Sequence, residues 1–159
     1  MNRVYTLYHI HRWKKELSEC KYGHVDKKLI GLFFSKEESL NTLEKYKLLK
    51  GFSDEIEGFS IDEYIIDSIY NISISTLFDY EMVVLSSLKY LYILYHLQEF
   101  DDGHDDSKIL GIFSTQIKAE EALSMIIKVS PSKVSKDQLL IVKDTAGSLD
   151  WKEGFFRSL

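Results

Sequence analysis

Apolar residues recur along the chain at strand spacing, and each such stretch has a near-copy further on. Val4-Tyr5-Thr6-Leu7-Tyr8-His9 places Tyr5, Leu7 and His9 on one strand face and Val4, Thr6 and Tyr8 on the other. It reads against Leu91-Tyr92-Ile93-Leu94-Tyr95-His96 at an offset of 87. A polar stretch follows (residues 11–27, or 98–107), then a second apolar segment. Lys28-Leu29-Ile30-Gly31-Leu32-Phe33 there matches Lys108-Ile109-Leu110-Gly111-Ile112-Phe113 at an offset of 80. Two such segments joined by a polar loop predict an antiparallel hairpin. Ser35 then precedes Lys36-Glu37-Glu38, an N-cap with acidic residues in the first turn, and Leu40, Leu43, Tyr46 and Leu49 follow at helical spacing up to Gly51. In the second copy Ser114 or Thr115 caps a helix carrying Ala119, Ala122, Leu123, Ile126 and Ile127. A third strand, Ser60 to Asp67 or Gln138 to Lys143, closes each copy. Asp62-Glu63-Tyr64-Ile65-Ile66 aligns with Asp137-Gln138-Leu139-Leu140-Ile141 at an offset of 75.

Three matches in the same order, at a shrinking offset, predict a duplication with shorter loops in the second copy. The expected fold is α+β: two tandem β-β-α-β units, residues 1–78 and 79–159, packed as one compact two-lobed domain. A three-stranded sheet under one helix has a small apolar face, so pairing two copies is a physical reason for the repeat. Residues 68–89 connect the copies, and Tyr80 to Leu88 suits either a strand or a short helix. Gly31 and Gly111 are expected inside the second strands where a backbone or a bulky aromatic comes close.

The order Tyr-x-Leu-x-His, Ile-Gly-x-Phe-Ser, an Ala/Glu-rich helix, Gly-Phe, a strand ending in Asp, and Trp-x-Glu-Gly-Phe resembles a family of small bacterial domains of unknown function, found as short stand-alone proteins. The first copy carries the pattern from Val4 to Asp67, including Gly51-Phe52 and Gly58-Phe59, and lacks the closing motif. The second lacks the Gly-Phe segment and ends in Trp151-Lys152-Glu153-Gly154-Phe155. The resemblance implies the fold and carries no activity.

Composition narrows the class. Hydrophobic residues make up 45% of 159, and 13% are aromatic, enough for a core and unlike a disordered chain. The net charge of −5 is spread evenly: residues 1–80 hold 11 Lys/Arg against 13 Asp/Glu, and residues 81–159 hold 9 against 12. The phosphate-binding footprint of a nucleic-acid partner is missing. Cys20 is the only cysteine, so the chain forms no internal disulfide and suits a reducing compartment. The N-terminus reads as a strand and not as a signal peptide. The most apolar window, Met82 to Tyr95, is too short and too interrupted for a bilayer. A cytoplasmic protein with no membrane partner is expected.

Candidate chemistry is sparse. His9, His11, Cys20 and His24 are ligand types suited to zinc, but their spacing is irregular and the second copy keeps only His96, so no metal is expected. His9 and His96 recur at equivalent positions, which invites acid–base chemistry, yet no Ser or Cys nucleophile recurs with them. No phosphate loop, Ser-x-x-Lys, His-Glu-x-x-His or Cys-x-x-Cys motif occurs. The densest chemical feature is acidic: Asp101, Asp102, Asp105 and Asp106 beside Phe100, with Asp54, Glu55 and Glu57 in the loop before the third strand of the first copy. Such loops speed the encounter with a cationic partner. Trp13, Tyr22, Tyr70, Tyr80, Trp151 and Phe155–Phe156 are further interface candidates. The reading is therefore a binding protein without cofactor or catalytic residue. It neutralises another protein with a basic surface, in the manner of a toxin-immunity protein or a phage inhibitor. The alternatives are a ligand-binding or oligomeric regulatory module with a pocket between the copies, and an enzyme using His9 or His96.

Overall fold

The computed structural model describes residues 2–12, 25–70, 84–99, 105–132 and 134–154. The fold is mixed α+β, with two antiparallel sheets and two α-helices among the described residues. By its contacts the chain divides into two compact units. One, named here for its strand β1 (Arg3–Arg12), is Arg3–Glu63 with Gly147–Leu159; the other, named for its strand β5 (Tyr90–Glu99), is Tyr64–Ala146 with Met1–Asn2. The boundary expected between residues 78 and 79 falls outside the described residues.

In the β1 unit, β1 (Arg3–Arg12) lies between β2 (Val25–Phe33) and β3 (Phe59–Ile65). The helix α1 (Lys36–Tyr46) covers one face, capped by the Ser35 hydroxyl, which accepts the Glu38 N–H. Leu7, Ile30, Phe33, Tyr46 and Phe52 form the buried cluster. The helix buries Ser39, Thr42 and Tyr46, so Leu40, expected in the core, is turned outward and 46% exposed. The Tyr46 hydroxyl, donating to the Asp150 carbonyl at 2.6 Å, anchors the buried stripe one residue away from the Leu40 row.

In the β5 unit, a short strand β4 (Ser68–Ile69) opens the sheet order β4-β6-β5-β7. The others are β5 (Tyr90–Glu99), β6 (Asp105–Phe113) and β7 (Leu139–Thr145). Thr115 caps α2 (Gln116–Val129), accepting the Lys118 N–H at 3.2 Å. Ala119, Ala122 and Ile126 pack against Leu94, Leu110 and Phe113. Within the Tyr80–Leu88 run, Leu85–Ser87 is a single 3₁₀ turn, while residues 80–83 lie outside the described residues.

The same backbone details recur in both sheets. A bulge with one extra residue falls at Ile30 in β2, opposite Leu7 and Tyr8, and at Leu110 in β6, opposite Leu94 and Tyr95. Both second strands are edged by a segment arriving from a distant part of the chain. Asp67 and Tyr70 donate their N–H groups to Ile112 and Leu110, and Gly147 and Asp150 donate theirs to Leu32 and Ile30. Gly31 and Gly111 explain how the segments approach. A Cβ on Gly31 would meet the Ser148 carbonyl at 3.0 Å, and on Gly111 it would meet the Ser68 carbonyl and the Phe113 ring at 2.6 Å. The third strands follow a different register from the one expected. Ile66 donates to the Asn2 carbonyl where Ala146 donates to that of Lys89, which aligns β3 with β7 at an offset of 80 in place of 75.

Asp67 has a positive φ of 65° and is buried, yet it is well satisfied. Its carboxylate accepts the Ser114 N–H at 2.8 Å, the Ser114 hydroxyl at 2.8 Å and the Lys118 ammonium at 2.9 Å. It thereby ties the β4 segment to the start of α2. Gly147, with φ 78°, occupies the corresponding place beside β2 and has no such carboxylate.

Two predictions follow from these contacts. A Gly111→Ala variant is expected to lose about 1–3 kcal/mol, because its Cβ overlaps backbone that has no free rotamer to yield; urea unfolding checks it. Burial, followed by the nearby Asp144 charge, pushes the Tyr95 hydroxyl up to about 12. Above the ordinary tyrosine value near 10 the unfolded chain therefore loses this proton first, and stability falls as pH rises through about 10 to 12. Ultraviolet titration should show a late phenolate transition that Tyr95→Phe removes.

Candidate functional site

The alternation of β1 puts His9 and His11 on the same face, and both are fully buried. Their rings lie 6.3 Å apart at 20°. Phe52 and Phe59 hold the His9 ring edge-on, with centroids at 5.0 and 4.8 Å. Against these histidines runs the 3₁₀ segment Ser53–Gly58, which breaks helical geometry at Glu55 (φ −141°, ψ 63°). That kink lets one residue serve both rings. The Glu55 carbonyl meets His9 Nε2 at 2.8 Å, and its carboxylate meets His11 Nδ1.

A carbonyl oxygen can only accept, so Nε2 of His9 carries the hydrogen. In the neutral ring Nδ1 is then an acceptor, and it has no hydrogen-bond partner. The His9 ring presses against Gly58: a Cβ there would lie 2.6 Å from His9 Nε2 and 2.5 Å from the Ile10 carbonyl, so only glycine fits.

Outside this wall lies a groove of about 420 Å³, lined by Ile10, Glu55, Glu57, Gly58, Phe59 and Ser60. Its described lining carries two carboxylates and neither Lys nor Arg. Ile10 and Phe59 supply apolar surface. Two residues along each strand, the Tyr8 hydroxyl donates to the Asp62 carboxylate at 2.6 Å. Burial, and then this hydrogen bond, hold the Tyr8 hydroxyl above its ordinary value, while the contact with Ser60 works against the shift.

The predicted site residues separate. Asp54 and Glu57 are exposed in the 3₁₀ segment, whereas Glu55 is turned back onto His11. Asp105 and Asp106 are not in a loop: they begin β6, opposite Glu99 and Gln98. Phe100, Asp101 and Asp102 lie outside the described residues, as do Trp13, Cys20, Tyr22, His24 and Tyr80. His96, buried like His9, has Nε2 without a hydrogen-bond partner. Trp151 is 43% exposed with a positive φ of 60°, and the Lys28 ammonium stands 4.2 Å from its ring. Among the described residues no group of three or more His, Cys, Asp or Glu is arranged to hold a metal ion. No described helix is long and apolar enough to cross a membrane.

No protein-family model, no curated protein and no solved structure matches the chain.

The contacts of Glu55 generate a prediction that sorts the acidic residues. Glu55→Ala strips the buried His11 Nδ1 of its carboxylate, and about 1–3 kcal/mol of stability should go with it. Asp54→Ala and Glu57→Ala, which change exposed carboxylates, should each stay within about 0.5 kcal/mol of the parent in the same chemical unfolding measurement.

Proposed function

We propose that the chain is two copies of a β-β-α-β unit, and that it acts as a non-catalytic binding protein that neutralises another protein bearing a basic surface. A toxin-immunity protein or a phage-borne inhibitor is the class that fits, working in the cytoplasm without cofactor or metal. The observation that carries this reading is the groove beside β1, where Glu55 and Glu57 meet apolar surface from Ile10 and Phe59. Asp54 stands exposed on the same 3₁₀ segment, and the whole chain carries a net charge of −5. An acidic surface steers a cationic partner into place, and many toxic nucleases present basic clefts. Asp101, Asp102, Asp105 and Asp106 extend this acidic character in sequence.

The histidines support the same reading over an enzyme. His9 and His11 are committed to Glu55 within the wall of the unit, and the described groove lining holds no cysteine or lysine nucleophile. Ser60 lines the groove and its side chain is engaged with the Tyr8 hydroxyl.

Affinity purification from the native host should yield a specific basic protein. Its association with the chain should slow as salt rises, because exposed charges are screened beyond about 8 Å at physiological ionic strength. Converting Asp101, Asp102, Asp105 and Asp106 to Asn should leave folding intact and lower the association rate. Equal association kinetics for parent and variant at low and moderate salt would remove these aspartates from the interface.

A further inference from the structure

We propose that the outer edge of β7 pairs antiparallel with β7 of a second copy of this chain. The inference is independent of the groove and goes beyond the binding-protein reading. Its first support is the backbone. β7 ends the order β4-β6-β5-β7, and among the described residues no strand pairs with its far side. Ala146 donates its N–H to the Lys89 carbonyl, so in the alternating ladder with β5 residues 140, 142 and 144 bond inward. Leu139, Ile141, Lys143 and Thr145 then turn their backbone groups outward. The chain satisfies the N–H groups at both ends of that row. The Asp144 carboxylate accepts the Thr145 N–H at 2.8 Å, and the Lys136 carbonyl accepts that of Leu139. Between them the N–H groups of Ile141 and Lys143 face out of the sheet edge, ready for another strand.

The side chains agree. Leu139 and Ile141 pack on the α2 side of the sheet, and on the opposite face Leu140 and Val142 are exposed, as is Leu97 of the neighbouring β5. The equivalent edge of the β1 unit is blunted. On β3, Asp62 accepts the Tyr8 hydroxyl and Glu63 pairs with Arg3 at 2.9 Å. β7 carries Val142 and Lys143 at those places, and the Lys143 ammonium lies 4.0 Å from the Tyr90 ring of its own sheet. The edge that complements β7 is β7 itself. With Ile141 opposite Ile141 of the second copy, Leu140 and Val142 face each other across the seam, Asp144 faces Gln138, and no like charges are opposed. A one-residue slip sets Leu140 against Asp144, and a two-residue slip sets Lys143 against Lys143. Only one edge of this kind exists per described chain, so the pairing closes as a two-fold dimer and does not propagate. One strand and a few apolar side chains fall below the about 1,200–2,000 Å² of a stable standard interface, so the dimer is reversible.

The test is sedimentation equilibrium of the full chain from micromolar to millimolar concentration, with amide hydrogen exchange on the same samples. The weight-average mass should climb from the 18.6 kDa of one chain towards twice that value. Over the same range the amides of Ile141 and Lys143 should exchange more slowly, while that of Val142, already bonded to β5, should not change. Leu140→Ser combined with Val142→Asp installs the residues that β3 carries at those positions. This variant should keep the mass of one chain throughout and unfold thermally near the parent at low concentration, because half-exposed positions contribute little to the fold. Should the variant fail to fold, amide exchange in the parent still decides. A parent that stays at one chain's mass overturns the proposal. So does a doubled mass that the folded variant retains, or one in which Ile141 and Lys143 gain no protection, since either places the contact on another surface. Protection of these amides only after a different protein is added assigns the edge to that protein and overturns self-pairing.

Discussion

Every strand at the rim of a sheet presents unpaired N–H and C=O groups, and this fold closes one rim of each sheet with a segment from far along the chain. The rim of β6 receives residues 67–70, and the rim of β2 receives residues 147–150. Neither sheet completes that edge from its own hairpin, so the distant segment must arrive before the backbone groups of Ile30, Leu32, Leu110 and Ile112 are satisfied. The requirement reaches into the sequence. The two strands need a residue without a side chain where the arriving carbonyls cross, at Gly31 and Gly111. The arriving chain needs a left-handed residue at its turn, which is Gly147 in one case and Asp67 in the other. Asp67 carries a conformational cost that glycine would not, and its three hydrogen-bonded partners at Ser114 and Lys118 offset it.

The groove depends on this scaffold through β1. Because the bulge opposite Leu7 and Tyr8 places its extra residue, Ile30, in β2, the alternation of β1 runs on unbroken, and His9 and His11 both turn inward under the 3₁₀ segment. Glu55 is then drawn in by two imidazoles at once. This leaves Glu57 outside, Gly58 flattened against β1, and a recess between them and Ile10. The kink at Glu55 is thus the structural origin of the recess, and the histidines are its supports. A repeated histidine at His9 and His96 looks catalytic in sequence. In the fold His9 positions backbone and leaves one acceptor over.

How much of this was readable beforehand follows from whether the signal was local. The hairpins, both N-caps and the two crowded glycines were legible, because each rests on neighbouring residues or on strand alternation. The register of β3 was not. Asp62-Glu63-Tyr64-Ile65-Ile66 resembles Asp137 to Ile141 in its order of acid and apolar residues, but register is fixed by partners such as Asn2 and Lys89, which sequence comparison does not see. The same limitation hid the site. Glu55 lies 46 positions from His9 and reads in sequence as one of three partner-facing loop acids, whereas a non-helical backbone brings it onto both histidines. Asp105 and Asp106 read as loop from their charge, yet the ladder with β5 extends to Glu99 and carries them into the strand. Leu40 was misread because the helix buries the small residues Ser39 and Thr42, which fit closer to the sheet than leucine does.

The two sheets also show what the groove is free to vary. Their hydrogen-bond frames coincide, and in that frame β3 carries Ser60 and Asp62 where β7 carries Leu140 and Val142. Those two apolar side chains are 46% and 36% exposed, so the β7 position does not bury them either. The fold therefore accepts polar or apolar residues at these points at similar cost, since half-exposed positions contribute little whichever is chosen. Stability does not dictate Ser60 and Glu57 beside the β1 groove. Gly58 and Glu55 are different, since packing against Ile10, His9 and His11 does dictate them. The recess is thus made of a fixed frame and a variable lining. The variable part is polar and accepting in the β1 unit and apolar in the β5 unit.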